Sequence, residues 1–389
     1  MRPLDLRASI ILCKRCGSCF RREYTTCPIY EEFGRIGPFS PPSIIYLADT
    51  IISKYLEASS ELATIPFACT LCGYCSSDCG QLLLHVRWET PARLMEGIRS
   101  IFVESGALPA NIAKTLNDLA TFGNAWRLPA AARTEWEKDC SFKVPDYTRE
   151  NNEYLLFVGD AAFIDETKPV VKSIAELLHV GGVSYGTLKD KEIDSGETAR
   201  ELGEYGLFEE LAKKNIETFK KYEAEKIVTI SPHDYNAFKV DYPKLGFKAT
   251  VYHYTQLLNQ LVKNRKLKPT KTLNKTVTYH DPCFLGRYHG IFEPPREILQ
   301  AISGVKFVEM KRNRKVSFCC GGGGGRMWYD PQEPKSTRIS DIRVSHATEV
   351  KADVIATSCP YCKSTIQASD NLGEIIVKDI AELLAEACL

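Results

Sequence analysis

The cysteines of this chain constrain its folding most strongly, because thirteen of the fifteen fall into three groups spaced like metal ligands. The first group is a C-x2-C-x2-C triplet with a later Cys-Pro, and it consists of Cys13, Cys16, Cys19 and Cys27. The second has the same triplet and consists of Cys69, Cys72, Cys75 and Cys79. The third is dispersed and consists of Cys283, Cys319, Cys320, Cys359 and Cys362. Thiolates in such groups hold iron–sulfur clusters, which indicates a protein that moves single electrons.

The first two groups have the spacing of paired [4Fe–4S] clusters, in which the fourth cysteine of each run binds the other cluster. We therefore predict that Cys79 completes the first triplet's cluster and that Cys27 completes the second's. Zinc also binds C-x2-C motifs, but its sites use two pairs rather than two triplets with distant fourth ligands. Two spacings depart from the usual pattern, since seven residues separate Cys19 from Cys27 and Gly80 follows Cys79 where proline is customary.

The third group lies in sequence typical of α/β units. Short apolar runs at 154–158, 226–230, 276–280 and 354–357 predict buried strands, and amphipathic helical patterns such as 169–180 lie between them. The glycine run 321–325 allows the backbone to close around a cluster with its N–H groups towards sulfur. A phosphate-binding loop is excluded there, because no Gly-Lys-Ser or Gly-Lys-Thr follows.

The turns of the α/β part align as an internal duplication. Gly159-Asp160, Asp194-Ser195-Gly196 and Ser231-Pro232-His233-Asp234 occupy the places of Pro282-Cys283, Cys319-Cys320-Gly321 and Cys359-Pro360-Tyr361-Cys362. All five cysteines are replaced in the first copy. We therefore predict a helical domain with two clusters over 1–110, a helical linker over 111–150, a degenerate repeat over 151–268 and an intact, cluster-binding repeat over 269–389.

The charge and hydropathy of the chain limit the kinds of binding partner that it is expected to have. The 50 basic and 49 acidic residues leave a net charge of +1, which gives no reason to expect nucleic acid or an anionic membrane surface. No run approaches the roughly 18 apolar residues of a membrane helix, and Cys13 comes before any signal-peptide core could form. We expect a cytoplasmic protein without a transmembrane segment, which reaches a membrane only by docking on a partner.

The third cysteine group resembles the CCG (cysteine-rich) domain of heterodisulfide reductases. With the two ferredoxin-type motifs before it, the chain resembles the D-type subunit of those enzymes, and it is similar to the iron–sulfur subunits of anaerobic glycerol-3-phosphate dehydrogenase and glycolate oxidase. The resemblance implies an α+β multidomain fold, in which an α-helical ferredoxin-like domain precedes a duplicated α/β CCG domain. It also implies that the five cysteines of the third group are catalytic and hold a third [4Fe–4S] cluster, which is noncubane in heterodisulfide reductases.

Two functions follow as hypotheses. In the first, the chain is an iron–sulfur oxidoreductase subunit whose CCG cluster acts on a disulfide or thiol, with His280 and His289 as candidate proton donors. In the second, it relays electrons from a flavin dehydrogenase to a quinone or other carrier. No G-x-G-x-x-G follows a strand, so we expect a flavin-containing or membrane-bound redox partner. A symmetric two-cluster cleavage is disfavoured, because side chains such as Asp160 and Ser231 replace thiolates poorly.

Overall fold

The N-terminal part of the chain is helical in the residues that the computed structural model describes, which are 6–13, 17, 27–77, 79, 90–331 and 337–389. Its helices are α1 (Leu6–Leu12), α2 (Pro28–Glu32), α3 (Pro41–Ile52), α4 (Ser60–Ala68), α5 (Tyr74–Ser77), α6 (Pro91–Ser105) and α7 (Ala110–Phe122). Two 3-10 helices, Gly37–Phe39 and Ala130–Asp139, lie between and after them. Within these described ranges no strand precedes Tyr154.

Local sequence explains where these helices begin and end. Helix α3 begins at Pro41, because proline fits the first turn of a helix, and it ends at Ile52. At the start of helix α6 the Thr90 side chain accepts the N–H of Arg93, and Gly106 ends the helix with φ 72°.

Two parallel four-stranded sheets follow, and they confirm the duplication. The strands are β1 (Tyr154–Phe157), β2 (Tyr185–Gly186), β3 (Lys226–Thr229), β4 (Thr250–His253), β5 (Lys275–Tyr279), β6 (Val305–Phe307), β7 (Val354–Thr357) and β8 (Ile376–Asp379). Their orders, β2-β1-β3-β4 and β6-β5-β7-β8, are the same. The four predicted strands all form, each within one residue of its predicted bounds.

The helices of the two repeats enclose a common apolar core. They are α8 (Lys168–Val180), α9 (Glu197–Glu201), α10 (Tyr205–Lys221), α11 (Pro232–Asn236), α12 (Tyr254–Lys263), α13 (Gly286–His289), α14 (Glu293–Ala301), α15 (Ile339–Glu349), α16 (Pro360–Gln367) and α17 (Ile380–Cys388). Helix α8 packs on α17 and α12 on α14. Because parallel strands carry their following turns at one edge, the cysteine-bearing turns after β5 and β7 come together. No helix in the described ranges has the length and apolarity to cross a membrane.

Arg99 of α6 joins the helical part to both repeats. Its side chain is fully buried, and its Nε and Nη2 donate to the Pro66 carbonyl at 3.1 and 3.0 Å. Its Nη1 donates to the carbonyls of Glu201 at 2.7 Å and Gly324 at 2.9 Å, and Nη2 also donates to that of Cys69. One guanidinium thus connects α4, the second cysteine group, the degenerate repeat and the glycine run.

A buried ion network reinforces the same junction. Arg200 of α9 pairs with Glu197 of its own helix and with Glu96 of α6. Arg93 of α6 in turn binds Asp241, with Nη2 2.9 Å from Oδ2. Buried charges are costly unless they are paired, so this network fixes α6 against the degenerate repeat.

We predict that Arg99→Met destabilises the folded protein by about 3–5 kcal/mol, because four backbone carbonyls lose a buried charged donor. Urea denaturation followed by circular dichroism under anaerobic conditions measures the loss. The matched control is Arg149→Met: the Arg149 side chain is 81% exposed, and its removal should change the free energy of unfolding by less than about 0.5 kcal/mol. Equal effects of the two substitutions would contradict the role of Arg99.

Candidate metal centre

The five cysteines of the third group converge where β5 and β7 end. Their exposed fractions lie between 1% and 8%. The Sγ atoms of Cys320 and Cys362 are 3.3 Å apart, and Cys319 forms a hydrogen bond with Cys283 that raises the pKa of the Cys283 thiol well above its ordinary value. Backbone N–H groups of the glycine run point at the sulfurs: that of Gly321 donates to Cys319 Sγ at 3.3 Å, and that of Gly322 donates to Cys320 Sγ at 3.4 Å.

The glycine run is required by the close approach of the second cysteine group. Gly324 has φ 64°, and a Cβ at that position would come within 2.4 Å of the Cys69 carbonyl oxygen. A Cβ on Gly323 would come within 2.8 Å of the Thr70 carbonyl oxygen. Any larger residue would therefore separate the two cysteine-bearing loops.

Four cysteines of the first two groups line one small cavity of about 20 Å³; they are Cys27, Cys69, Cys72 and Cys75. Leu71 (φ 50°) and Gly73 (φ 70°) turn the loop, and the Leu71 N–H donates to Cys69 Sγ at 3.4 Å. Burial, followed by the neighbouring charges of Cys72 and Cys69, raises the pKa of Cys27 well above its ordinary value. The structure thus places Cys27 beside the second triplet.

The cavity of the second triplet adjoins the third group directly. A hydrogen bond between Cys72 and Cys319, followed by burial, raises the pKa of Cys72 well above its ordinary value. The turn after Cys283 holds the same loop, because Tyr288 Oη donates to the Leu71 carbonyl and Arg287 Nη1 to the Cys72 carbonyl, each at 2.6 Å. Two predicted sets of cluster ligands are therefore in contact.

The remaining cysteines are more scattered. Cys13 follows α1, Cys79 follows α5, and both are half-buried. Cys16 and Cys19, the other predicted ligands of the first cluster, lie outside the described residues. Cys140 and Cys388 pack against the core shared by the repeats.

The surroundings of the third group fit an iron–sulfur cluster. Arg343 Nε donates to His280 Nδ1 at 3.0 Å, and burial, followed by the Arg343 charge, lowers the pKa of His280 well below its ordinary value. The neutral ring therefore carries its proton on Nε2, which is buried and finds no acceptor in the described part of the chain. A ring nitrogen of His280 lies within 4.8 Å of the sulfurs of Cys320 and Cys362. Sulfur atoms of a cluster held there would supply the acceptor.

Sequence reasoning missed His233, which comes from the degenerate repeat. Its Nδ1 lies 2.6 Å from Glu201 Oε1, and its ring stacks on that of Phe284, which follows Cys283, with centroids 4.2 Å apart. The repeat alignment pairs His233 with Tyr361, which precedes the ligand Cys362. This pairing was the one available signal, but a buried histidine without a cysteine beside it gave no reason to place it at a metal centre. His289, considered a proton donor, instead pairs through Nε2 with Asn236 Oδ1 at 3.1 Å.

The side chains that replace cysteines in the degenerate repeat form a buried acidic group. Ser195 Oγ donates to Asp234 Oδ1 at 2.6 Å, and the Gly196 N–H donates to Asp194 Oδ1 at 2.6 Å. Tyr361 Oη reaches across from the intact repeat and donates to Asp160 Oδ2 at 2.8 Å. These hydrogen bonds give partners to buried carboxyl groups at or next to the positions that correspond to the cysteines of the intact repeat.

A surface cleft of about 250 Å³ reaches the third group. It is lined on one side by Cys320 and Gly321 and contains both charged and hydroxyl side chains, among them Arg326, Arg338 and Thr365. The Arg326 side chain forms an ion pair within the protein, with its Nη1 2.8 Å from Glu32 Oε2. The cleft is a path by which a small molecule can approach the buried cysteines.

We predict a stability change with pH that depends on Asp234. Burial raises its pKa from 3.8 to about 7, so the folded state binds a proton that the unfolded chain releases near pH 4. The contribution of this proton to the free energy of unfolding is fully present below about pH 4. It is lost as the pH rises to about 7, at about 1.4 kcal/mol per pKa unit. Asp234→Asn, which cannot ionise, should gain stability relative to the unsubstituted protein between about pH 5 and pH 8.

Urea denaturation at several pH values measures this difference, and Asp165→Asn is the matched control because the Asp165 side chain is 87% exposed in the same repeat. A constant difference between Asp234→Asn and the unsubstituted protein over this range would show that Asp234 is ionised in the folded state.

Comparison with known proteins agrees with this geometry. The sequence model of the cysteine-rich domain (CCG) matches residues 156–239 and 277–367, one match in each repeat. The chain is 39% identical over 83% of its length to a "Probable iron-sulfur-binding oxidoreductase" of Bacillus subtilis, and 34% identical over 82% to an EtfAB:quinone oxidoreductase of Syntrophomonas wolfei. It spans about half of these two relatives, 46% of each. It is 30% identical over 96% of its length to the D-type subunit of the dihydromethanophenazine:CoB–CoM heterodisulfide reductase of Methanosarcina mazei, of which it spans 93%.

Proposed function

Because the chain belongs to the CCG-domain family of iron–sulfur oxidoreductases, we propose that it transfers single electrons between its ferredoxin-type cysteine groups and the intact CCG repeat, where a disulfide or thiol reacts. The observation that carries this proposal is the packing of the second cysteine group against the third: the glycine run approaches the Cys69 and Thr70 carbonyls closely, and the turn after Cys283 donates hydrogen bonds to the Leu71 and Cys72 carbonyls. Cleavage of a disulfide to two thiols takes two electrons and two protons. The electrons would come from a redox partner, one at a time.

We assign the ligands in three sets. Cys13, Cys16, Cys19 and Cys79 hold the first [4Fe–4S] cluster, and Cys27, Cys69, Cys72 and Cys75 hold the second. Cys283, Cys319, Cys320, Cys359 and Cys362 hold the third, with the noncubane form that the resemblance implies. The cavity shared by Cys27 and the second triplet supports the exchanged fourth ligand. Such clusters supply electrons singly at a potential set by burial and hydrogen bonds.

The protein's own groups prepare the third site for this chemistry. The N–H groups of Gly321 and Gly322 donate to ligand sulfurs and offset their negative charge. The His280 ring is held in place by the hydrogen bond from Arg343 to its Nδ1, with a ring nitrogen within 4.8 Å of the Cys320 sulfur. The cleft beside Cys320 and Gly321 admits a small sulfur compound while the rest of the site excludes water.

A second function is a relay without a substrate of its own. The burial of all five CCG cysteines favours it, because electron transfer needs proximity but not access. In this function a flavin dehydrogenase would deliver electrons that leave towards a quinone or another carrier. The relative named EtfAB:quinone oxidoreductase is consistent with it.

Anaerobic EPR of the purified chain, with iron determination, distinguishes the two functions. We predict that a thiol added under mild oxidation produces a new paramagnetic signal. This signal should disappear in Cys319→Ser, because the substituted site no longer presents the thiolate that joins the two ligand sets. The signals assigned to Cys13, Cys16, Cys19 and Cys79 should persist in the variant and serve as the internal control. Spectra of the unsubstituted chain that do not change with thiol would establish the relay instead.

Iron analysis tests the ligand sets independently of any substrate. We predict that Cys72→Ser loses roughly four of roughly twelve iron atoms per chain, the content of one [4Fe–4S] cluster among three. Cys140→Ser is the matched control and should keep all of them, because Cys140 packs against an apolar core. Asp160→Ala and Ser231→Ala should also keep the full iron content. Iron lost from either of these two variants would mean that the degenerate repeat also binds a cluster.

A further inference from the structure

Three arginines lie where the second cysteine group meets the third, and no carboxylate pairs with them among the residues that the structure describes. They are Arg287, Arg312 and Arg343. Their side chains donate instead to backbone carbonyls and to one histidine ring. A buried guanidinium is ordinarily paired with an acidic side chain, as that of Arg296 is with Asp281 at 2.7 Å. The three positive charges thus have no ion-pair partner within the described ranges.

Arg312 and Arg287 contact the loops of both groups. The Cζ atom of Arg312 lies 4.6 Å from the centroid of the Phe318 ring, which precedes Cys319, and 5.8 Å from that of Tyr74, which belongs to the loop of the second triplet. The Cζ atom of Arg287 lies 5.3 Å from the same Tyr74 ring, and its guanidinium donates to backbone carbonyls of both loops. These two charges therefore lie beside both sets of predicted ligands.

Arg343 lies on the side of the third group and is fully buried. Its Nε donates to His280 Nδ1 at 3.0 Å, and its Nη1 donates to the Arg312 carbonyl at 2.9 Å. A ring nitrogen of His280 lies within 4.8 Å of the sulfurs of Cys320 and Cys362. One imidazole ring thus connects the Arg343 guanidinium to the cysteines of the third group.

Two donors of these arginines are left without a partner. The Nη2 atoms of Arg312 and Arg343 are buried and find no acceptor in the part of the chain that the structure describes. Arginine stays protonated in proteins, so both side chains keep a positive charge, and burying such a charge without a counter-charge is costly. An iron–sulfur cluster together with its thiolates carries a net negative charge. Clusters in the second and third groups would therefore supply the counter-charge that these arginines lack.

We propose that Arg287, Arg312 and Arg343 are positioning residues that supply the positive charge opposite the second and third clusters, so that each cluster accepts an electron at a higher potential than without them. The inference rests on the proposed clusters at these two cysteine groups. Each reduction adds one electron, which the redox partner delivers, and no bond is made or broken.

The arrangement matters because the two clusters are neighbours. An electron on one cluster raises the cost of adding an electron to the other, and charges interact strongly where the surroundings are buried and the dielectric constant is low. Positive charges beside both clusters offset this cost. They favour the state in which each cluster holds one electron, and that state contains the two electrons that cleavage of a disulfide takes.

The test is a redox titration of the full reconstituted chain with dithionite, monitored by EPR, for Arg312→Met and Arg312→Lys. Methionine removes the charge and keeps an unbranched side chain, whereas lysine keeps the charge. We expect lower midpoint potentials of both the second and the third cluster in Arg312→Met, and potentials near those of the unsubstituted chain in Arg312→Lys. The Cys72→Ser variant identifies the signal of the second cluster by its loss.

A second substitution tests the position of the charges. Arg343→Met should lower the potential of the third cluster more than that of the second, because Arg343 lies on the side of the third group. Arg149→Met is the matched control, since the Arg149 side chain is 81% exposed, and it should leave all three potentials unchanged. The first cluster should keep its potential in every variant.

The charge-conserving variant separates compensation from a structural role. Loss of a cluster in Arg312→Met but not in Arg312→Lys would support the proposal, because only the charge differs. Unchanged potentials in both methionine variants with all clusters retained would overturn it, and so would equal effects of methionine and lysine at position 312. If the unsubstituted chain binds no cluster in the second or third group, the proposed function fails instead, and iron analysis identifies that outcome before any variant is made.

Discussion

The junction between the helical part and the two repeats depends on one buried guanidinium. Arg99 is fully buried and donates to backbone carbonyls of α4, the second cysteine group, the degenerate repeat and the glycine run. A guanidinium carries five donors in a rigid plane, so its hydrogen bonds also set the relative positions of the loops that accept them. The approach of the glycine run to the Cys69 and Thr70 carbonyls lies at this junction. The proposed electron transfer between the two cysteine groups would thus depend on a hydrogen-bonded packing arrangement and not only on the cysteines.

The features that could be predicted are those encoded by sequence patterns a few residues long. Apolar runs ending in turns located β1, β3, β5 and β7, and alignment of those turns revealed the duplication, because strand period and turn chemistry act over a few residues. Cysteine spacing likewise predicted the third group and the pairing of Cys27 with the triplet that begins 42 residues later, and the structure brings together the cysteines of each of these sets. The structure adds what long-range packing determines, which is that Arg99 connects four segments. This arrangement has no signature within a window of sequence.

The degenerate repeat shows most clearly why a site cannot be read from ligands alone. The sequence predicted a degenerate copy that binds no cluster, since Asp160, Asp194 and Asp234 replace thiolates poorly. Each of these buried carboxyl groups accepts a hydrogen bond, that of Asp160 from Tyr361 of the intact repeat. Asp234 also has its pKa raised to about 7 by burial. The same repeat places His233 against Phe284, the residue that follows Cys283, with ring centroids 4.2 Å apart.

The two candidate functions differ in what they require of the third cysteine group: both need it close to the second group, but only a catalyst needs it accessible to a substrate. The packing of the second cysteine group against the glycine run would give electrons a short route into the proposed site, and this route would serve a relay and a catalyst equally well. A catalyst also needs a way for atoms to enter, and the cleft lined by Cys320 and Gly321 provides one. A relay needs no such opening, so the binding of a small thiol in this cleft is the property that distinguishes a catalyst from a relay.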